Sequence, residues 1–338
     1  MLDRDYTSVS RHPDYPASEG DPSILRAQTY SELTSAIYYF LTEHAAQGVI
    51  HLSNYVGDVG ADLEKACVEA ALDDPLGAYA LMGIDHSYTR IVSYYEVSLT
   101  FHYAHTAEEI NAILPVSGAS GVEGAVSAAL NRFDGSCVLL VSQFSGDEAE
   151  LLTLIHQAWL DTPTATLERP DVRIKFFPEI GMNRVAEITL QWTSSQDDLT
   201  AARTQLTAAA QRLLQETNLS NSPAPLALLT ALRQRSTTNK EGGSSPYDAL
   251  VLGHANPQGT TLALSLLCRL AGLDVTTVEG RKNGAAAWWL IVETADGPRH
   301  FDPNAPTPAY GDDRQFEAAG YEWSGERYPT CDPSSQND

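Results

Sequence analysis

Residues 246–304 read PYDALVLGHANPQGTTLALSLLCRLAGLDVTTVEGRKNGAAAWWLIVETADGPRHFDPN. A helix is expected from Pro257 or Gln258 to Leu270. Proline suits the first helical turn, where its missing N–H would have had no partner. Leu262, Leu266 and Leu270 recur at helical spacing and form an apolar stripe. Gly272 stands where a helix C-cap belongs, and Val275 and Val278 are strand positions. Two further strands follow, joined at the turn ADG. His300 and Asp302 are two residues apart on the second of these strands and so share a face.

Upstream, DDLTAARTQLTAAAQRLLQET is rich in good helix formers and predicts a helix over 197–216, capped by Ser195 or Asp197. A second helix is expected over 223–235. The composition of STTNKEGGSSP predicts a loop. Further upstream, residues 29–103 and about 121–192 look like two copies of one unit. A shift of about 88 residues lays GVIHLSNY on SCVLLVSQF and Pro75 on Pro163. Each copy reads helix, strand, helix, strand, strand. In SYYEVSLTFHY, Tyr95, Val97, Leu99 and Phe101 alternate with polar residues, as in a half-buried strand. The expected fold class is α+β, divided into a polar arm (1–28), two α/β repeat units (29–106 and 107–193), a C-terminal module (194–330) and a tail (331–338).

The chain has 338 residues and a formal net charge of −23, from 21 basic and 44 acidic residues. Such a surface repels phosphate backbones and anionic lipid headgroups, so no nucleic-acid partner is expected. No apolar run approaches the ~20 residues needed to cross a bilayer, so no direct membrane insertion is expected of the chain as given. The glycines of the two repeats lack the strand–loop–helix context of a nucleotide site. Of the four cysteines, Cys67, Cys137 and Cys268 sit in apolar runs and are expected to be buried small hydrophobes; Cys331, near the terminus, is expected to be more exposed. No pair has metal-site spacing, and no cofactor is expected.

The stretch 246–304 resembles the core of the transglutaminase-like superfamily, whose papain-like site carries a Cys at a helix start, a His on a strand and an Asp on the next. The Cys position falls on Pro257 and the His position on Ala286; the Asp position is Asp302. Trp288 matches the family's tryptophan and Trp289 replaces a residue that is usually polar. The tail DDRQFEAAGYEWSGERYPTCDP resembles a clostridial-type cell-envelope group through Tyr321, Trp323 and Tyr328. Thiolate–imidazole catalysis needs both missing groups. The resemblance therefore implies a pseudoenzyme with a degenerate triad, acting as a binding or assembly module at a bacterial cell envelope. Its candidate cleft residues are Gln258, Trp288, Trp289, His300 and Asp302, and its partner is an unknown protein or envelope peptide. It also implies an extracytoplasmic location, reached through a membrane segment absent from this chain. Two alternatives stand beside it: an active cysteine peptidase or acyltransferase whose nucleophile is misassigned, and an interaction protein working through its N-terminal repeats.

Overall fold

A computed structural model describes residues 24–220 and 223–332. Most of the expected N-terminal arm, and the tail beyond 332, lie outside the described residues. The chain is a mixed α+β protein with several sheets. It divides into two compact units. One holds the chain up to Gly118 with 138–145 and 174–188; the other holds 119–137, 146–173 and the chain from Thr189 onward.

The first series of elements is β1 (Ile24–Ala27), α1 (Tyr30–Thr42), β2 (Gln47–Ser53), α2 (Val59–Val68), α3 (Pro75–Ala80), β3 (Leu81–Ile91) and β4 (Tyr94–Tyr103), followed by a short α4 (Ala107–Asn111). The second is β5 (Leu114–Ser117), α5 (Gly118–Arg132), β6 (Ser136–Ser142), α6 (Glu148–Leu160), β7 (Asp171–Phe177) and β8 (Arg184–Gln191). Their sheets have the orders β1-β2-β4-β3 and β5-β6-β8-β7. Each series therefore opens with a strand that pairs in parallel with the next one. This opening strand is absent from the expected element order, because four residues are too few to show a period.

The two series correspond at an offset of 89 residues, one more than the sequence suggests. Strands β2 and β6 have the same burial pattern, exposed and then alternating buried and half-buried. His44 and Asn54 adopt positive φ, and so do Phe133 and Gln143, 89 positions on. Phe101 N donates to Ala46 O, and Leu190 N to Gly135 O. The Tyr103 hydroxyl donates to Ala45 O, and Trp192 Nε1 to Asp134 O. Because side chains alternate across a strand, a slip of one residue would exchange the buried and exposed faces. Only the longer offset keeps both cores intact.

The C-terminal part carries α7 (Gln196–Glu216), α8 (Ala224–Arg235), β9 (Thr237–Gly243), β10 (His254–Ala255), α9 (Pro257–Leu270), β11 (Val275–Lys282), β12 (Ala285–Thr294), β13 (Gly297–Asp302), β14 (Ala309–Gly311), α10 (Asp313–Ala318) and β15 (Tyr321–Glu322). Ser195 caps α7, as expected. The expected loop at 236–246 is in part a strand: β9 pairs with β10, and that pairing outweighs its loop-like composition. Five strands form one sheet in the order β14-β13-β12-β11-β15.

Helix α9 decides where the site lies. Asn256 caps it, accepting from Gly259 N at 3.0 Å, and Pro257 occupies its first turn. Gly272, with φ +81°, follows its C-cap. Ten consecutive residues, Gly259 to Cys268, are buried, so the helix is enclosed nearly all round. Leu264, Leu266 and Leu267 share a core with Leu290, Val292 and Phe301 of the sheet, whereas Leu270, the last residue of the expected stripe, stands at the helix end and is exposed. Each such core leucine contributes about 1.5–3 kcal/mol on burial. On the opposite face of the sheet, Trp289, Ile291, Phe316, Tyr321 and Tyr328 form a second cluster.

Candidate functional site

Pro257 begins α9 and is half-buried; Ala286, near the start of β12, is exposed. Strand alternation puts Ala286 and Trp288 on the face that carries Leu290 and Val292, under α9. Trp289 and Ile291 point to the other face. Phe301 packs with α9, so its neighbours His300 and Asp302 also belong to the far face. The three positions expected from the resemblance, Pro257, Ala286 and Asp302, therefore do not share one face of the sheet. Of the candidate cleft residues, Gln258 and Trp288 are half-buried near α9, whereas Trp289, His300 and Asp302 are core residues, exposed by 0%, 0% and 4%.

Asp302 is spent on structure. Its Oδ2 accepts from the Tyr321 hydroxyl at 2.6 Å and lies 3.7 Å from Lys282 Nζ. Its Oδ1 accepts from Asn304 N at 2.7 Å. Lys282 also donates to the Tyr321 hydroxyl at 2.5 Å and lies over its ring. Burial and the adjacent carboxylate both push the Tyr321 phenol up, so it stays a donor.

Asn304 joins the strands to the helix. Its Nδ2 donates towards Pro257 O (3.2 Å), Thr261 Oγ1 (2.9 Å) and Trp288 O (3.1 Å). Two of these partners are carbonyls, which only accept, so the amide nitrogen must face them. Its oxygen therefore points away, and Asn304 Oδ1 is buried without a partner among the described residues. Trp288 Nε1 is likewise buried and unpartnered. Asn304 and Trp288 thus carry one orphan acceptor and one orphan donor, and the bond that joins the two residues runs from Asn304 Nδ2 to the Trp288 backbone carbonyl near the start of α9. Arg233 steadies the loop by donating to Pro303 O and Ala305 O. Sequence reasoning missed Asn304, although it stands in the quoted HFDPN; nothing in its local pattern separates it from a turn residue.

His300, Asp313 and Cys331 place ligand-type atoms within 4.8 Å of one another. Their bonding suits a core better than a metal. Trp289 Nε1 donates to His300 Nδ1 at 2.9 Å, so the proton sits on Nε2, which donates to Asp313 at 2.8 Å. A metal-bound imidazole normally donates through its other nitrogen. Here that nitrogen faces an indole N–H, which cannot accept. Cys331 is fully buried, contrary to expectation, and burial pushes its thiol up to about 12. Residues after β15 fold back over the aromatic cluster and enclose it. The other three cysteines are also buried and free. Burial raises Cys67 and Cys268 to about 12 and Cys137 to about 11. A thiol in that condition is a poor nucleophile.

No protein-family profile matches the chain, and no curated protein matches it. Among solved structures, one of a TGase is similar over 62% of this chain and 62% of that one, at 12% identity and a TM-score of 0.29. A protease candidate from Parabacteroides distasonis is similar over 75% of this chain and 39% of that one, at 8% identity and a TM-score of 0.22. The chain spans less than two thirds of either relative. The likeness to transglutaminase- and protease-type structures is distant and partial. No helix among the described residues is long and apolar enough to cross a membrane.

Proposed function

We propose that this chain is a non-catalytic binding module on a transglutaminase-like frame, and that the ground beside the start of α9 receives a peptide group. The observation that carries this reading is the orphan pair, Trp288 Nε1 and Asn304 Oδ1. A peptide unit offers one N–H and one C=O, the complement of that pair. Leaving each atom buried and unpaired costs about 1–3 kcal/mol, so a ligand that satisfies both recovers free energy that packing alone does not.

The case against catalysis is chemical. Pro257 has no nucleophile, Ala286 has no base, and the Asp302 carboxylate is engaged by Tyr321, Lys282 and Asn304. The buried, protonated cysteines weigh against the alternative of an active cysteine enzyme. Placement at a bacterial envelope rests on the sequence resemblance, and fractionation of the source cells tests it.

The binding test is titration calorimetry with short peptides blocked at both ends. Wild type should bind saturably, and Trp288→Phe, which keeps the ring but loses the donor, should bind at least tenfold more weakly. Absence of saturable binding, or equal affinity in Trp288→Phe, overturns the reading; an ordered water would then be the occupant of the pair.

A further inference from the structure

A groove of about 490 Å³ lies within one compact unit and shares no lining residue with the Pro257 region. Its size falls in the range of roughly 300–1,000 Å³ common for small-ligand sites. One wall is a single face of α6. Leu152, Ile155, His156 and Trp159 stand at helical spacing along it. The facing wall is the segment from Arg169 to Val172, with Pro170 and Val172 completing an apolar floor.

The polar groups are few and gathered at one place. His156 Nε2 lies 2.6 Å from Glu279 Oε2, and its ring stacks on Trp159 at 5.7 Å. Arg169 and Arg327 both act on Glu279 through space. Arg327 is tied to Gln157 and lies over the Tyr328 ring. Arg169 lines the groove, is exposed, and makes no hydrogen bond among the described residues. Asp171, also on the rim, lies 3.7 Å from Arg173. In a chain with 44 acidic residues against 21 basic ones, the charged residues lining the groove are one arginine, Arg169, and one carboxylate, Asp171, which already has Arg173 beside it.

We propose that this groove binds a carboxylate carried on an aliphatic or aromatic body, with the carboxylate on the Arg169 guanidinium and the body on the floor of Leu152, Ile155 and Trp159. Arginine presents a planar fork of donors that matches a carboxylate, and that fork has no hydrogen-bond partner among the described residues. The apolar floor supplies the burial term. Two sources carry this chemistry: a free acid, and the C-terminal residue of a peptide.

Calorimetric titration of the full chain with octanoate, N-acetyl-leucine and N-acetyl-leucinamide tests it, beside Arg169→Gln. That substitution is on an exposed side chain, and circular dichroism checks that it folds. Binding of octanoate with at least tenfold loss in Arg169→Gln supports the site and assigns a free acid. The same result for N-acetyl-leucine, with the amide tenfold weaker, supports the site and assigns a peptide terminus. No saturable binding by either acid, equal binding of acid and amide, or unchanged affinity in Arg169→Gln overturns the proposal. All of these titrations are made in the Trp288→Phe background, which removes the donor of the Trp288–Asn304 pair, so that a blocked leucine bound there is not mistaken for this groove and this inference and the proposed function fail separately.

Discussion

The carboxylate of Asp302 accepts the backbone N–H of Asn304 at 2.7 Å, and through that bond it shapes the loop that reaches Pro257. Asp302 faces away from α9, yet it sets where Asn304 stands. Asp302→Ala would leave Asn304 N, the Tyr321 hydroxyl and Lys282 without their shared acceptor. Breaking a buried, multiply bonded carboxylate costs about 3 kcal/mol or more. Asp302→Asn keeps one acceptor oxygen and should cost clearly less. Urea unfolding of the two variants measures the difference; equal losses would refute this role for the Asn304 bond.

His300 predicts a pH dependence with a definite sign. Burial lowers its pKa below the ordinary 6.5, and Asp313 only partly opposes this. The native state therefore keeps the imidazole neutral while the unfolded chain takes up a proton as pH falls through 6.5. Where the unfolded state binds more protons, stability rises with pH. His300 thus contributes stability above about pH 6.5 that is lost as pH falls from there towards its lowered native value, with a limiting slope of about 1.4 kcal/mol per unit. The urea midpoint should fall less over that range in His300→Gln than in wild type. Parallel curves would mean that His300 titrates alike in both states.

The order of elements was legible wherever a period or a cap ran long enough. The helix over 257–270 follows from a proline start, a leucine stripe and Gly272, and α9 has those bounds. The repeat was legible from the recurring order of elements and the match of GVIHLSNY to SCVLLVSQF, but its offset needed backbone conformations: His44 and Phe133 share a positive φ that neither side chain announces. The four-residue strands β1 and β5 were too short to show alternation. At the site, the sequence placed Pro257 and Trp288 near one another, but the face of Asp302 depends on register, and a one-residue step inverts it. Asn304 was invisible for a different reason: its role is fixed by three acceptors from residues 257, 261 and 288, and no local pattern encodes those.

Gly259 is held by space rather than by conformation. It lies inside α9, where alanine would be favoured by about 1 kcal/mol. A Cβ there would stand 2.7 Å from Gly243 O and 2.8 Å from Ser245 O. Both neighbours are backbone and cannot swing aside. Overpacking of this kind costs about 1–3 kcal/mol, so Gly259→Ala should destabilise on balance despite the helix preference. Thermal unfolding of Gly259→Ala decides between the two effects; a raised Tm would show that the loop at 243–245 yields.

Placing Cys and His at the positions that the sequence resemblance implies should not create a triad. Pro257→Cys with Ala286→His would put a thiol at the first turn of α9 and an imidazole on the adjoining face of β12. A helix N-terminus favours a thiolate, so the introduced thiol should react with iodoacetamide faster than the four buried native ones. The third member is the obstacle. Asp302 lies on the opposite face, occupied by Tyr321 and Lys282, and cannot orient the new imidazole. Without that orientation the pair lacks the fixed tautomer that makes histidine an effective base. The double variant should therefore label readily at the introduced thiol yet show no turnover of acyl or peptide substrates above the parent. Measurable hydrolysis that depends on Asp302 would sink this reading of the sheet faces.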